Sequence, residues 1–277
     1  MSDAAAPGPA DDGWRPRLVA LDVDGTVVDR NGALPGPVKD AIGAVVAAGV
    51  PVVLSTGRSW HGTRDLVDLL GLPPGPSVCS NGAVIVTYPP EEIVQAITFD
   101  PRDVIDRVEE FAPGTLIAVE EIGRGFRLND HFPEGDLTGE LVVQSAEELG
   151  AEPVTRVILR DPRRSVEEFI TLASHLGLAG VTYFVGWSAW LDIAPEGVNK
   201  ATALAQVAAD LGVKAEDVLA AGDGRNDIEM LRWAGRGVAM GQAVEEVVAA
   251  ADEVTGHGDE HGLATVLRSL LEEPAAV

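Results

Sequence analysis

Asp22 and Asp24 stand two residues apart in Asp22-Val23-Asp24-Gly25-Thr26, a spacing that on an extended chain sends both side chains to the same side. Neighbouring carboxylates repel, and one is driven toward protonation unless a cation intervenes. A Mg²⁺ ion resolves the conflict by taking oxygen ligands from the Asp groups and filling its remaining positions with water and a phosphate. An Asx-stabilised turn uses the same residue types, so the segment alone leaves both readings open.

Gly222-Asp223-Gly224-Arg225-Asn226-Asp227 is a second acidic cluster. Asn226-Asp227-Ile228-Glu229 has the form of a helix cap with an acidic third residue, which would account for Asn226. Capping does not account for Asp223, which precedes the turn; a metal site would. Ser55-Thr56-Gly57-Arg58 adds a hydroxyl, a pliable glycine and backbone donors at a strand-to-helix turn, where a phosphate is readily held, or simply makes a turn. Lys200, after Asn199 at a helix start, places a cation where the helix dipole disfavours it, so a negative group nearby would rationalise it.

The elements that must position these groups follow from periodicity. Arg17 to Leu21 and Val50 to Leu54 are apolar runs that read as buried strands, and Val38, Ile42, Val45 and Val46 between them have helical spacing that ends at Gly49. Leu66, Leu69 and Leu70 suggest a helix ending at Gly71, and Ser77 to Val86 a strand pair broken at Asn81-Gly82. From Tyr88 to Leu191 the rhythm changes. Strands are expected at 96–99, 116–119, 125–128, 154–159 and 181–185, with helices at 101–111 and 164–176, which suggests a separate α+β module. Strand and helix alternate again afterwards: helices at 201–211 and 227–233, strands at 218–221 and 237–240, then helices at 243–250 and 261–272.

The expected fold is therefore α/β: a Rossmann-like parallel-sheet core, residues 14–87 and 192–277, split by an inserted α+β cap, residues 88–191. In an open parallel sheet, ligands bind outside the carboxyl ends of the strands. Asp22, Asp24, Thr56 and Asp223 all close strands, so the fold itself would gather them although they lie two hundred residues apart.

With these segments in order, the sequence resembles the haloacid-dehalogenase-like hydrolase superfamily, and within it the Cof-type phosphatases with a large cap inserted late in the core. Asp22 to Thr26, Thr56, Lys200 and Gly222 to Asp227 are similar to the family's four motifs. Ser80-Asn81-Gly82-Ala83, Val238 to Ala243 through Asp252, and Asp259 to Ala264 are similar to its secondary signatures. The resemblance implies a nucleophilic Asp22, with Asp24 as general acid and base. Thr56 and Lys200 would grip the phosphoryl oxygens. Mg²⁺ would be held by Asp22, Asp24 and Asp223, with Asp227 and Asn226 in support. Gly57, Arg58, Asn81 and Asn226 are candidate phosphate or substrate contacts from the core, and Arg124, Arg127, Trp187 and Trp190 from the cap, although packing into the cap's own core is the favoured reading of the two tryptophans. Gln242 departs from the family text, where Asn often follows Met-Gly; the expectation is a changed helix start with catalysis untouched.

A net charge of −24 argues against nucleic acid or an anionic membrane as partner. It also means that phosphate binding needs local positive charge, and a divalent cation supplies it. The single Cys79 rules out an internal disulfide and reads as a buried hydrophobe suited to a reducing cytoplasm. Residues 1–13 read as a flexible tail, and no apolar run is long enough to span a bilayer. The chain is expected to be a cytoplasmic enzyme, monomer or homodimer, hydrolysing a small phosphomonoester, with sugar phosphates leading. A phosphosugar mutase and a receiver-like phospho-acceptor are the alternatives; Asp24 and the cap argue against the receiver.

Overall fold

The structure, a computed structural model, describes residues 14–165, 167–169, 171, 180–185 and 190–271. The expected tail at 1–13, most of the expected helix at 164–176 and Trp187 lie outside the described residues. In chain order come β1 (Leu18–Leu21), α1 (Gly36–Ala47), β2 (Val52–Leu54), α2 (Trp60–Leu70), β3 (Gly75–Cys79), β4 (Val84–Tyr88) and β5 (Glu92–Ala96). Then follow α3 (Arg102–Phe111), β6 (Leu116–Glu121), β7 (Gly125–Leu128), β8 (Glu140–Val143), α4 (Ala146–Leu149), β9 (Val157–Arg160), β10 (Val181–Val185) and β11 (Trp190–Pro195). The chain continues with α5 (Lys200–Asp210), β12 (Val218–Gly222), α6 (Ile228–Trp233), β13 (Arg236–Ala239), α7 (Glu245–Val248), β14 (Glu253–Val254) and α8 (Gly262–Ser269).

The core is a parallel sheet in the order β14-β13-β12-β1-β2. Every residue of β1 and β12 is buried, as expected of strands covered on both faces. Val19, Leu21, Leu219 and Ala221 turn toward Val38, Ile42 and Val45 of α1 and Leu263 and Leu267 of α8. The alternate residues Leu18, Ala20, Val218 and Ala220 turn toward Leu204 and Val207 of α5 and Met230 and Leu231 of α6. Burying an aliphatic side chain of this kind contributes about 1.5–3 kcal/mol, so these two apolar layers hold the strand ends in place. An antiparallel sheet, β3-β4-β5, stands beside it, joined by a bridge between Ser55 and Val78.

The second layer is a six-stranded sheet in the order β10-β11-β9-β6-β7-β8, antiparallel except where β7 pairs with β8. One face packs Ile117, Val119, Val157, Leu159, Leu191 and Ile193 against Val104, Ile105 and Val108 of α3. The other carries Glu120, Phe126, Arg156, Ile158, Trp190 and Asp192, because alternate residues of a strand point to opposite sides. This face looks onto the strand ends of the core: the Arg156 guanidinium donates to the Gly57 carbonyl, and Ser80 Oγ donates to the Glu120 carboxylate at 2.6 Å.

The strand expected at 96–99 sits earlier, at β5, and Phe99 instead bridges Val154. β5 is exposed along nearly all of its length, so it lacks the alternation that marks a half-buried strand. β8, exposed at all four positions, likewise carries no alternation from which a strand is read. Asp192 and Pro195 interrupt the apolar run of β11, which was also not expected; it carries the sheet to Pro195.

Candidate active site

β1 and β12 are neighbours in parallel register, with Leu21 opposite Ala221 and the Asp22 N–H donating to the Ala221 carbonyl at 2.9 Å. Both strands then release an aspartate at the same sheet edge. Potential ligand atoms of Asp22, Asp223 and Asp227, all buried, lie within 4.8 Å of one another. Gly25 is what allows this closeness: it takes φ 87°, and a Cβ there would collide with the Asp223 carboxylate.

Lys200 completes the cluster from the first turn of α5. Asn199 caps that helix, its side chain accepting from the Thr202 N–H at 3.0 Å while Thr202 Oγ1 accepts from the Asn199 N–H at 3.1 Å. The Lys200 ammonium, fully buried, donates to Asp22 Oδ1 and to Asp227 Oδ1, each at 2.6 Å. These two carboxylates are the negative partners that its place at a helix start required. The other Asp227 oxygen accepts from the N–H groups of Asp223 (3.0 Å) and Gly224 (2.8 Å). Asp227 is thus a brace that ties the Lys200 helix to the β12 loop.

The charges do not balance. Burial raises the Asp22 carboxyl well above its usual pKa, the Asp227 charge adds to this, and Lys200 opposes it. Burial, then Asp227, pushes Asp223 up to about 6. Burial alone would lower Lys200, but the Asp22 and Asp227 charges outweigh it and hold the ammonium charged.

Asp24 is turned away from this cluster. Its exposed carboxylate takes the Arg58 guanidinium, with Nε donating to Oδ2 at 2.9 Å. Thr56 is fully buried, and its hydroxyl oxygen accepts from the Arg58 N–H at 3.1 Å. Asn226 does not cap α6: its amide donates to Asn81 Oδ1 at 2.9 Å across the cleft. Asn81 itself takes φ 54°, and its N–H donates to the Thr56 carbonyl at 3.0 Å.

A cavity of about 480 Å³ opens over these groups, lined from the core by Asp22, Asp24, Arg58, Asp223 and Asn226, and from the cap sheet by Phe126, Arg156, Trp190 and Asp192. Arg124 and Arg127, expected to reach the ligand, are not in its lining. Arg127 pairs with Glu121 at 3.2 Å, and Arg124 with Glu140 at 3.0 Å.

The chain matches the family model described as haloacid dehalogenase-like hydrolase over residues 19–267, a span that holds every residue of the cluster. The chain belongs to the haloacid dehalogenase-like hydrolases. It is 29% identical to a phosphoglycolate phosphatase of Methanopyrus kandleri, over 92% of this chain and 97% of that one. It is likewise 29% identical to a 5-amino-6-(5-phospho-D-ribitylamino)uracil phosphatase of Bacillus subtilis, over 91% and 94%. Its fold superposes on a sugar phosphatase of the family's subclass IIB with a TM-score of 0.78 at 24% identity, covering 91% and 98%.

The residues of this hydrolase fit a divalent cation. Asp223 Oδ1 is buried with no hydrogen-bond partner, beside a cluster in which carboxylates exceed ammonium groups. An oxygen-seeking ion is the group that such an orphaned atom lacks.

Several side chains at the site went unrecognised in the sequence. Gln242 was expected only to alter a helix start; its amide instead donates to Asp223 Oδ2 at 3.0 Å and to the Gly25 carbonyl at 2.7 Å, tying the two acidic loops together. Its place in the family text was the available signal. Glu120, Arg156 and Asp192 left none, because only strand pairing puts them on one face.

Proposed function

We propose that the protein is a Mg²⁺-dependent phosphatase of small phosphomonoesters, sugar phosphates foremost, that works through an aspartyl-phosphate at Asp22. The observation that carries this reading is the buried Lys200 ammonium shared between Asp22 and Asp227 at 2.6 Å, behind a cavity that Asp22 itself lines.

Lys200 opposes the burial that favours a protonated Asp22 and steers one of its oxygens, leaving the other free to attack phosphorus. As the new P–O bond forms, the ester P–O bond breaks, and the departing oxygen takes a proton from Asp24. Asp24 then removes a proton from water as the water oxygen attacks the acyl phosphate, releasing inorganic phosphate and restoring Asp22. Asp24 reaches the leaving oxygen only when its pair with Arg58 parts, which leaves Arg58 available to the phosphate. Thr56 and Gly57 would hold phosphoryl oxygens from the β2 turn. Asp22 and Asp223, with the Asp24 loop, would hold Mg²⁺, which neutralises charge on the transferring group. Asp227 would brace both that ion's ligands and Lys200.

The cap sheet favours an enzyme over a receiver-like acceptor, since it encloses a volume in which a substrate can be kept from bulk water. The test is inorganic phosphate release from a panel of sugar phosphates, nucleotides and phosphorylated cofactors, with and without Mg²⁺. Turnover of at least one sugar phosphate that stops on chelation is the expected result. A stable phosphoprotein with no turnover of any ester would overturn it, and phosphate moved to a second hydroxyl without release would indicate a mutase.

A further inference from the structure

The cavity that Asp22 lines is walled on its other side by the core-facing side of the cap sheet, and the charges there are arranged against a second anion. Trp190 and Asp192 lie two apart on β11 and so share that face; the indole N–H donates to Asp192 Oδ2 at 3.1 Å. Arg156 leads into β9 beside them, almost wholly buried. It faces Glu120 at 3.4 Å and Asp192 at 3.5 Å, besides its bond to the Gly57 carbonyl. One guanidinium therefore meets two carboxylates and has no positive charge to spare for a ligand; burial, opposed by Arg156, raises the Asp192 carboxyl above its usual pKa.

Around the rest of the lining each guanidinium is matched by one carboxylate. Asp136, from the loop before β8, takes the Arg160 guanidinium at 3.0 Å. Arg58 is paired with Asp24, and Arg225 with Glu246 at 3.0 Å. Each arginine in the lining already faces a carboxylate. What remains for the distal part of a ligand is the Trp190 ring, the buried edge of Phe126, the Thr138 hydroxyl and the oxygens of Asp136 and Asp192. Carboxylates accept from hydroxyls and amines, and an aromatic face covers C–H groups. A second phosphate or a carboxylate placed there would meet like charge and lose its water without gaining a partner.

We propose that this wall selects phosphomonoesters whose remaining part is uncharged and hydroxyl-bearing and turns away those carrying a second anionic group, with Asp136 and Asp192 as the discriminating side chains. The proposal rests on the phosphatase reading of the same cavity. Overall sequence identity gives no guide to this choice, because the relatives matched at 29% are named for a carboxylate-bearing ester in one case and a ribityl phosphate in the other.

The test uses a matched pair, hexitol 6-phosphate and hexonate 6-phosphate, which differ at one end as CH₂OH against COO⁻. With Mg²⁺ present, kcat/KM is compared; for a compound not turned over, its inhibition constant against p-nitrophenyl phosphate is used. The expected preference for the hexitol ester is about tenfold or more, shrinking severalfold in Asp136→Asn and in Asp192→Asn. Asp136→Asn serves where loss of the Asp192 charge beside Arg156 prevents folding. Equal or better use of the hexonate ester, or a ratio unchanged in both variants, overturns the proposal. If p-nitrophenyl phosphate is not hydrolysed either, the phosphatase reading is the one that fails. Selectivity is then read from the shift in melting temperature that each ester produces, where equal shifts overturn it and a larger hexitol shift supports it.

Discussion

Lys200 and Asp22 are 178 positions apart in the chain, and their side chains meet at 2.6 Å in a site that seals the lysine off from solvent. The same ammonium holds Asp227, so one cation on α5 ties together the loops after β1 and β12. Removing it separates its electrostatic role from its chemical one. Lys200→Met leaves two buried carboxylates unpaired and is expected to cost about 3–5 kcal/mol, read from urea unfolding. Adding Asp227→Asn to that variant should recover part of the loss; a double mutant as unstable as the sum of the two single changes would remove the coupling.

Asp22→Asn keeps the volume and one hydrogen-bond acceptor for Lys200 but takes away the attacking oxygen. Phosphate release should fall by about a thousandfold or more, with the melting temperature and circular dichroism close to the parent's. Activity within tenfold of the parent would eliminate Asp22 as nucleophile.

Mg²⁺ should stabilise the fold by binding where Asp223 Oδ1 lacks a partner. At about a hundred times its dissociation constant, the gain is about 2.7 kcal/mol by mass action, visible as a higher melting temperature that a chelator reverses. Asp223→Asn should abolish the shift. A full shift in that variant would place the ion elsewhere.

Gly82 sits at φ 101°, and a Cβ there would run into the Asn199 carbonyl, immediately before Lys200. Gly82→Ala therefore strains its own backbone and pushes on the start of α5. A loss of about 1–3 kcal/mol and a lowered kcat are expected together, from denaturant melts and steady-state rates. Loss of stability with kcat unchanged would mean that Lys200 does not feel the displacement.

Burial pushes the Cys79 thiol from about 9 up to about 12. The folded state thus holds this proton more tightly than the unfolded chain does. Its contribution to stability is complete below about pH 9 and disappears as pH rises through about 12. At pH 8 the thiol should resist iodoacetamide until the protein unfolds, so that labelling tracks urea denaturation. Rapid labelling of the native protein would contradict its burial.

Much of the site was legible because it is local. Asp22-Val23-Asp24-Gly25-Thr26 and Gly222 to Asp227 each combine a strand end, a turn glycine and carboxylates within six residues, and βα alternation implied that parallel strands would bring their ends together. The lysine's position at a helix start even signalled that it needed negative neighbours. What chain order could not convey was which neighbour each charge would find. Asp24 faced Arg58 and not the buried acids, and Gln242 reached back to Gly25 and Asp223. Arg124 and Arg127, promising as isolated cations, were answered by Glu140 and Glu121.

The sequence by itself determined the α/β class and the strand ends that carry the acids, because each depends on residues a few positions apart, and its resemblance to a family singled out Asp22 as the candidate nucleophile. Only the tertiary structure decided that Glu120, Arg156, Trp190 and Asp192 share one cap face over Asp22. Strand register assigns side chains to faces, and a shift of one residue would turn that wall toward α3 instead.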